Sequence, residues 1–539
     1  MSSLSATRSL SRGYALLARL EQVAVTWRGA LALFIISLGV FAIQSIAMPV
    51  QGGRDFGSYL GYYVQMFDAH PPDVGLSLAR TPVAPLAIGL PLDIGGGVAA
   101  TIWMALLYAS SVLAWSWVAL SFGARAALAT ALLLMLYPGY GILFHQLSSD
   151  PIFAAAFAGW AVLVTLATRR PSALRFLLVG LGVAFLAGVR PGAQVLALFV
   201  AFPLFVAGAR GRTRLVWAAA VFAGIAAPLG ALMLNNGIRY GNYTVANGAT
   251  TFPLFRAFVA DKIVQPDNGP VSREFARGVE KYLLRVEPYR SYGITSDEFF
   301  SSGSTRMQAD IDWVAERVWG SDAPSKQRAL WWEAIRTHPR AYAGGVSQSL
   351  WDLLWKIRVW APGTNDGGGQ AAPAQDTVNV GGRSLPKPAD GQPIPGSHSG
   401  EIWVSATEHR PDIDVADRAT AAEDLREFTH LATLVPVYGD SEGLAHRLNQ
   451  ASRWYPAPLV FLLLGLVGLA VRRPRRPLIA LALSVAALLI LLLTSLGFYA
   501  VAEYVVPVAP AFIVLAAAGL IGDRRADESR RPGETPVPA

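Results

Sequence analysis

Ten apolar runs set the fold class of this chain. They lie near residues 30–50, 97–122, 126–144, 151–167, 173–189, 193–207, 215–234, 456–471, 478–496 and 502–521. Crossing ~30 Å of hydrocarbon takes roughly 20 apolar residues, so several sit near the lower limit. Composition agrees with a membrane solvent. Of 539 residues, 53% are hydrophobic and only 15% charged, whereas a soluble surface needs about 25% charged. Lipid must cover part of this chain. Disordered, collagen-like and coiled-coil descriptions are excluded for the chain as a whole. The sequence has no cysteine, which excludes disulfides, thiol chemistry and cysteine-ligated metals. The first run is too long and too far in for a cleaved signal peptide, and no clear cleavage site follows it.

Arginines orient the runs. Arg8, Arg12, Arg19 and Arg28 precede the first, and Arg125 follows the second. Arg169, Arg170 and Arg175 follow the fourth, and Arg210, Arg212 and Arg214 the sixth. Arg472, Arg473, Arg475 and Arg476 follow the eighth, and Arg524 and Arg525 the last. If ten spans alternate, all of these fall on one side, which the positive-inside rule makes cytoplasmic. Both termini are then cytoplasmic. The opposite side receives a first loop (51–96), a short turn (145–150) and a large segment (235–455). The large segment carries 23 Lys and Arg against 26 Asp and Glu, while the whole chain is +8. The positive charge therefore belongs mainly to the inner membrane face, and a nucleic-acid role has no support.

Three parts follow: an N-terminal membrane module with seven spans (1–234), an outer segment (235–455) and a C-terminal module with three spans and a cytoplasmic tail (456–539). Within the outer segment, 274–284, 307–319 and 327–338 read as short amphipathic helices. The stretch 343–360, with Trp351, Trp355 and Trp360, reads as a helix lying at the interface. Residues 361–400, rich in Gly and Pro, read as a flexible loop. Helical patterning returns over 412–450, and no compact independent domain is evident.

Four polar positions need a reason. Asp55 follows a membrane exit and precedes Tyr59, Tyr62, Tyr63 and Phe67, spaced as on one helix face. It is either an N-terminal cap or a base or metal ligand at a cavity mouth. Asp150, in His145-Gln146-Leu147-Ser148-Ser149-Asp150-Pro151, caps a helix or joins His145 and Gln146 in a polar cluster. Arg190, in Val189-Arg190-Pro191, opposes the positive-inside trend. It needs an ion-pair partner, such as Asp55 or Asp150, or a phosphate that matches its fork of donors. Arg54, Arg80, Arg239 and Arg256 are weaker phosphate candidates. Glu503, beside Tyr504 at the mouth of the last span, should face a cavity rather than lipid. No phosphate-binding nucleotide loop, zinc helix or nucleophile elbow is present. The inner loops are too small for a nucleotide-sugar domain, so an activated substrate would arrive in the lipid.

Together these features resemble the GT-C glycosyltransferases, the multispanning class of protein mannosyltransferases and lipid A aminoarabinose transferases. The resemblance rests on Gly53-Arg54-Asp55 beside the tyrosine helix, Ser149-Asp150-Pro151, Arg190-Pro191 and Tyr504-x-x-Pro507-x-x-Pro510. Glu503 stands where the family commonly has arginine. The resemblance implies an all-α polytopic membrane protein of about ten transmembrane helices with a mostly helical extracytoplasmic segment, in a bacterial plasma membrane with its active site facing out. It implies an inverting transfer of a sugar from a polyprenyl-phosphate donor to an extracytoplasmic glycan, lipid or protein. Asp55 would be the catalytic base. Arg190, helped by Arg54 or Arg256, would bind the donor phosphate. Tyr59, His145, Gln146, Asp150, Glu503 and Tyr504 would line the cavity or bind acceptor. A divalent cation, Mg²⁺ or Mn²⁺, would sit on Asp55 and Asp150 if one is used. The alternatives are a transporter or flippase for a lipid-linked saccharide and a noncatalytic envelope-assembly protein.

Overall fold

The computed structural model describes residues 26–53, 55–68, 71, 74–247, 253–285, 293–302, 307–356, 377–380, 383–386, 415–436, 451–452, 454–474, 476–498, 500 and 502–523. Arg8, Arg12, Arg19, Arg54, Arg475, Arg524 and Arg525 lie outside the described residues.

The first membrane module contains α1 (Trp27–Ala47), β1 (Gln51–Gly52), α2 (Phe56–Gln65), α3 (Val74–Ala79) and α4 (Val83–Ala119). It continues with α5 (Ala124–Met135), α6 (Pro138–Leu143), β2 (Gln146–Leu147), α7 (Ser149–Arg169), α8 (Ala173–Val189), a 3-10 stretch (Pro191–Phe205) and α9 (Gly211–Tyr240). The last part contains α16 (Pro458–Arg472), α17 (Pro477–Gly497), α18 (Ala502–Val505) and α19 (Ala509–Ile521). This is a mostly helical, multi-pass membrane protein. Five helical segments, Trp27–Ile46, Val83–Phe122, Ser149–Arg169, Gly211–Tyr240 and Pro477–Gly497, are long and apolar enough to cross a bilayer. Five shorter apolar helices, α5, α8, the 3-10 stretch, α16 and α19, fall on the remaining expected runs. Length alone therefore supports five crossings and leaves the other five below the threshold.

Three expected boundaries change, each at a residue that disfavours helix. The second run was expected to start at residue 97, but α4 begins at Val83 and bends at Gly96, whose φ is +62°. A left-handed residue interrupts the ladder there without the Cβ clash another residue would suffer. The first outer loop is thus largely helical. The third run divides into α5 and α6 at Tyr137-Pro138, with Pro138 in the first turn of α6. The last divides into α18 and α19 around Pro507, which cannot donate to an ongoing helix. Elsewhere hydroxyl caps set the starts. Thr26 accepts from Gly29 N, Ser148 from Asp150 N and Ser172 from Arg175 N.

Helices α8 and α9 approach until a Cβ on Gly180 would lie 2.2 Å from the Val221 carbonyl oxygen and one on Gly224 2.4 Å from that of Leu177. In lipid, where apolar burial drives little association, such backbone contact is what holds two helices together. The main core runs through these helices and includes Trp115, Trp160, Phe157 and Phe199.

The outer segment contains α10 (Pro270–Gly278), α11 (Ser296–Ser302), α12 (Met307–Trp319), α13 (Ala323–Thr337), α14 (Pro339–Trp351), a hairpin of β3 (Thr377–Val380) and β4 (Arg383–Pro386), and α15 (Val415–Thr433). The expected amphipathic helices are present, 307–319 with the expected ends and the other two with shifted ones. The interfacial stretch begins at Pro339, and its described part ends in a π turn, Asp352–Lys356. Two expectations are corrected. Phe258, Phe275, Phe299, Phe300, Val314 and Leu330 form a second core of their own, so this segment does contain a compact unit. Inside 361–400, β3 and β4 pair antiparallel with Val378 opposite Leu385, where only a loop was expected.

Candidate active site

Two short segments bring the site together. Gln51 and Gly52 pair in parallel with Gln146 and Leu147, and Gly53 N donates to the Leu147 carbonyl at 3.1 Å. A Cβ on Gly53 would lie 2.9 Å from the Gln146 Cβ, so glycine permits the approach. The chain before Asp55 is thereby held against the chain before Asp150, although they are far apart in sequence.

Asp55 occupies the N-cap position of α2, but its side chain makes no capping bond and its φ is +58°. Left-handed backbone is uncommon outside glycine, although aspartate tolerates it better than most. The carboxylate instead meets Arg80, with Oδ2 3.0 Å from Nη2. Arg80 also donates to Ser58 Oγ at 3.2 Å and Tyr59 Oη at 3.4 Å. Its guanidinium lies 4.9 Å from the Tyr59 ring centroid. Burial opposes the Arg80 charge, and Asp55 together with Tyr59 and Tyr504 more than offsets it, so this arginine stays above its ordinary value and charged.

Tyr59 lies one turn after Asp55 and carries the network onward. Its hydroxyl donates to Ser149 Oγ at 2.8 Å, and Ser149 Oγ also accepts from Arg190 Nε at 3.0 Å. Arg190 then pairs with Asp150 through Nη2 and Oδ1. Its guanidinium lies between two rings, 5.4 Å from the Phe153 centroid and 5.2 Å from that of Tyr504. Ser148 caps α7 and donates to Asp150 Oδ2 at 2.9 Å. Asp150 is thus relieved of the capping role, and Arg190 has a carboxylate partner. Two carboxylate–arginine pairs, joined by a tyrosine and a serine, form one hydrogen-bonded chain.

Asp55, Tyr59, Asp150, Arg190 and Tyr504 therefore come together. His145 and Gln146 turn into the bundle. His145 stacks on Phe41 with ring centroids 4.3 Å apart, and burial pushes its imidazole down to about 3 despite a backbone hydrogen bond at Met48. A neutral, packed ring suits structure better than proton transfer. Gln146 is buried in β2, opposite Gln51. Glu503 lies on α18, and its side chain is outside the described residues, as is Arg54. Arg256 lies on other partners. It is fully buried and grips both oxygens of Asp261, at 2.9 and 3.1 Å. It also donates to Ser349 Oγ and to the Ser495 and Phe498 carbonyls. With its donors spent on the protein, it locks the outer segment to the end of α17 and is not open to a donor phosphate.

Sequence reasoning gave Arg80 too small a part. Nothing in a loop of some 45 residues fixes which arginine returns to Asp55. Among the described residues no group of three His, Asp or Glu side chains is placed to hold a metal ion. Asp55 and Asp150 each face a guanidinium instead, so no step is assigned to a metal.

No family model matches the sequence, and no curated protein matches it. Among solved structures, the chain is similar to ArnT from Cupriavidus metallidurans bound to undecaprenyl phosphate, with 13% identity, a TM-score of 0.31, and coverage of 92% of this chain and 78% of that one. The same protein in the apo state matches at 12% identity and a TM-score of 0.31, covering 91% and 78%. A likeness at this level carries no functional argument, so function is argued from this chain's own residues.

Proposed function

We propose that this protein is a glycosyltransferase that moves a sugar from a polyprenyl-phosphate donor to an extracytoplasmic acceptor. The observation that carries the reading is the state of Asp55: a part-exposed carboxylate, unused as a helix cap, set beside a charged arginine. A lipid-linked donor would bring its phosphate to this pair from the outer leaflet.

The roles follow from charge balance. The acceptor hydroxyl oxygen attacks the anomeric carbon as the bond to the phosphate oxygen breaks, and its proton passes to Asp55. Asp55 then becomes neutral, which releases Arg80 from its ion pair just as the departing phosphate gains charge. Arg80 can exchange one anionic partner for the other without crossing a stretch of uncompensated charge. Arg190, already balanced by Asp150, holds the far wall and orients Ser149 and Tyr59. One displacement inverts the anomeric centre.

The test is Asp55→Asn in purified protein given a panel of polyprenyl-phosphate sugars together with glycan, lipid and protein acceptors, scored by release of polyprenyl phosphate. Wild-type protein should turn over at least one donor, with the variant slower by about 10²–10⁴-fold at unchanged thermal stability. Wild-type rates in a folded Asp55→Asn protein would remove the base role.

A further inference from the structure

A second cluster lies away from the Asp55–Asp150 chain, where α15 rests on α2. Asp68, just past α2, and Asp424, on α15, are neighbours, and Oδ2 of each carboxyl group is buried with no other hydrogen-bond partner. Asp424 is 5% exposed. Two carboxylates repel, so this contact requires one of them to hold a proton.

The surroundings reinforce the requirement. Glu423 and Glu427 face the pair from α15, and Asp93 on α4 faces Glu427. Tyr63 on α2 donates to Asp93 Oδ2 at 2.9 Å. Tyr62 on α2 and Tyr240 on α9 complete the ring of titratable groups. Arg239 at the end of α9 is the cation there among the described residues, and its guanidinium donates to the Met66 and Asp68 carbonyls. Five carboxyl groups thus share one arginine. Burial, then the neighbouring Asp68, pushes Asp424 up to about 7, and burial raises Asp68 and Glu427 as well.

What α15 covers gives the cluster its consequence. Gly57, two residues after Asp55, would place a Cβ 3.8 Å from the Phe428 ring, and Gly97 would place one 2.5 Å from the Leu434 carbonyl oxygen. Leu431 and Val435 are buried in the main core. The Pro436 carbonyl accepts from Gly52 N at 3.3 Å, three residues before Asp55. The C-terminal end of the helix is therefore tied to the backbone that presents Asp55, and its middle to the carboxyl pair.

We propose that α15 is a pH-sensitive strap, latched onto α2 by a proton shared between Asp68 and Asp424 and loosened when that proton is lost. Carboxyl groups that titrate higher when docked than when free bind their proton more tightly in the docked state. Docking is strongest near pH 4, weakens as pH rises towards about 7, and changes little above that. This inference stands apart from the sugar-transfer reading, because it concerns the position of a helix.

The absence of cysteine makes the test direct. A nitroxide on Arg426→Cys, an exposed site on α15, reports mobile and docked populations in the full-length protein. Between pH 5 and pH 8 the mobile-to-docked ratio should rise about 10²-fold. In the Asp68→Asn/Asp424→Asn chain, where amides can hydrogen-bond without a shared proton, the ratio should be the same at both pH values. Glu427→Gln keeps the pair and removes a like charge, so it should move the transition to lower pH. A ratio indifferent to pH in the labelled parent, or a pH response that survives in the double variant, overturns the strap. An unmoved midpoint in Glu427→Gln does so even if the double variant fails to fold.

Discussion

The Asp55–Arg80 and Asp150–Arg190 pairs use the same two residue types and differ in burial. The side chains are 38% and 22% exposed in the first pair, against 3% and 16% in the second. A part-exposed pair in a wet environment contributes little, about 0–1 kcal/mol, and its members can exchange partners. Removing one member of a buried pair strands the other charge and costs about 3–5 kcal/mol. The first pair can therefore give its aspartate to chemistry, while the second holds α7 to the start of the 3-10 stretch.

The largest effect that separates them is in stability. Asp150→Ala should lower unfolding stability in detergent by about 3–5 kcal/mol, with Asp55→Asn changing it by under about 1 kcal/mol. Equal losses would erase the distinction. Arg256→Ala is the matching control in the outer segment, because it strands the buried Asp261. It should cost about 3–5 kcal/mol in thermal unfolding and leave the affinity for a polyprenyl phosphate unchanged. A weaker lipid affinity with normal stability would return Arg256 to the donor site.

Smaller effects test the link between the pairs. In a double-mutant cycle, Tyr59→Phe and Ser149→Ala should couple by about 0.5–3 kcal/mol in stability. Additive losses would mean that the bridge is geometric only. Tyr504→Leu removes one ring from the Arg190 sandwich, and unfolding should register about 0.5–2 kcal/mol.

The sequence carried the parts of this structure that repeat locally. Apolar runs located the helices of the bundle. Asp55, Asp150 and Arg190 stood out because each is polar at a place where lipid or a tight turn leaves it few options. Contacts between distant segments were not legible. The β1–β2 pairing involves two residues on each side, too few for a periodic signal. Arg80 meets Asp55 only because α3 and α4 fold back over α2, and Gly89 makes room for Tyr63, whose ring atoms would otherwise lie 2.1 Å from a Cβ. The partners of Arg256 were not legible because an arginine in an outer segment looks the same whether it faces a ligand or a buried aspartate. The second core was missed because its apolar residues are spread over several short helices.

The central claim is that a lipid phosphate is received at the Asp55–Arg80 pair. A structure of the purified protein with undecaprenyl phosphate tests it most directly. The account predicts phosphate density within hydrogen-bonding distance of Arg80 and beside Asp55, with the isoprenoid chain leaving between helices into the bilayer. Phosphate density at the opposite end of the bundle, near Arg169 and Arg472, would contradict it.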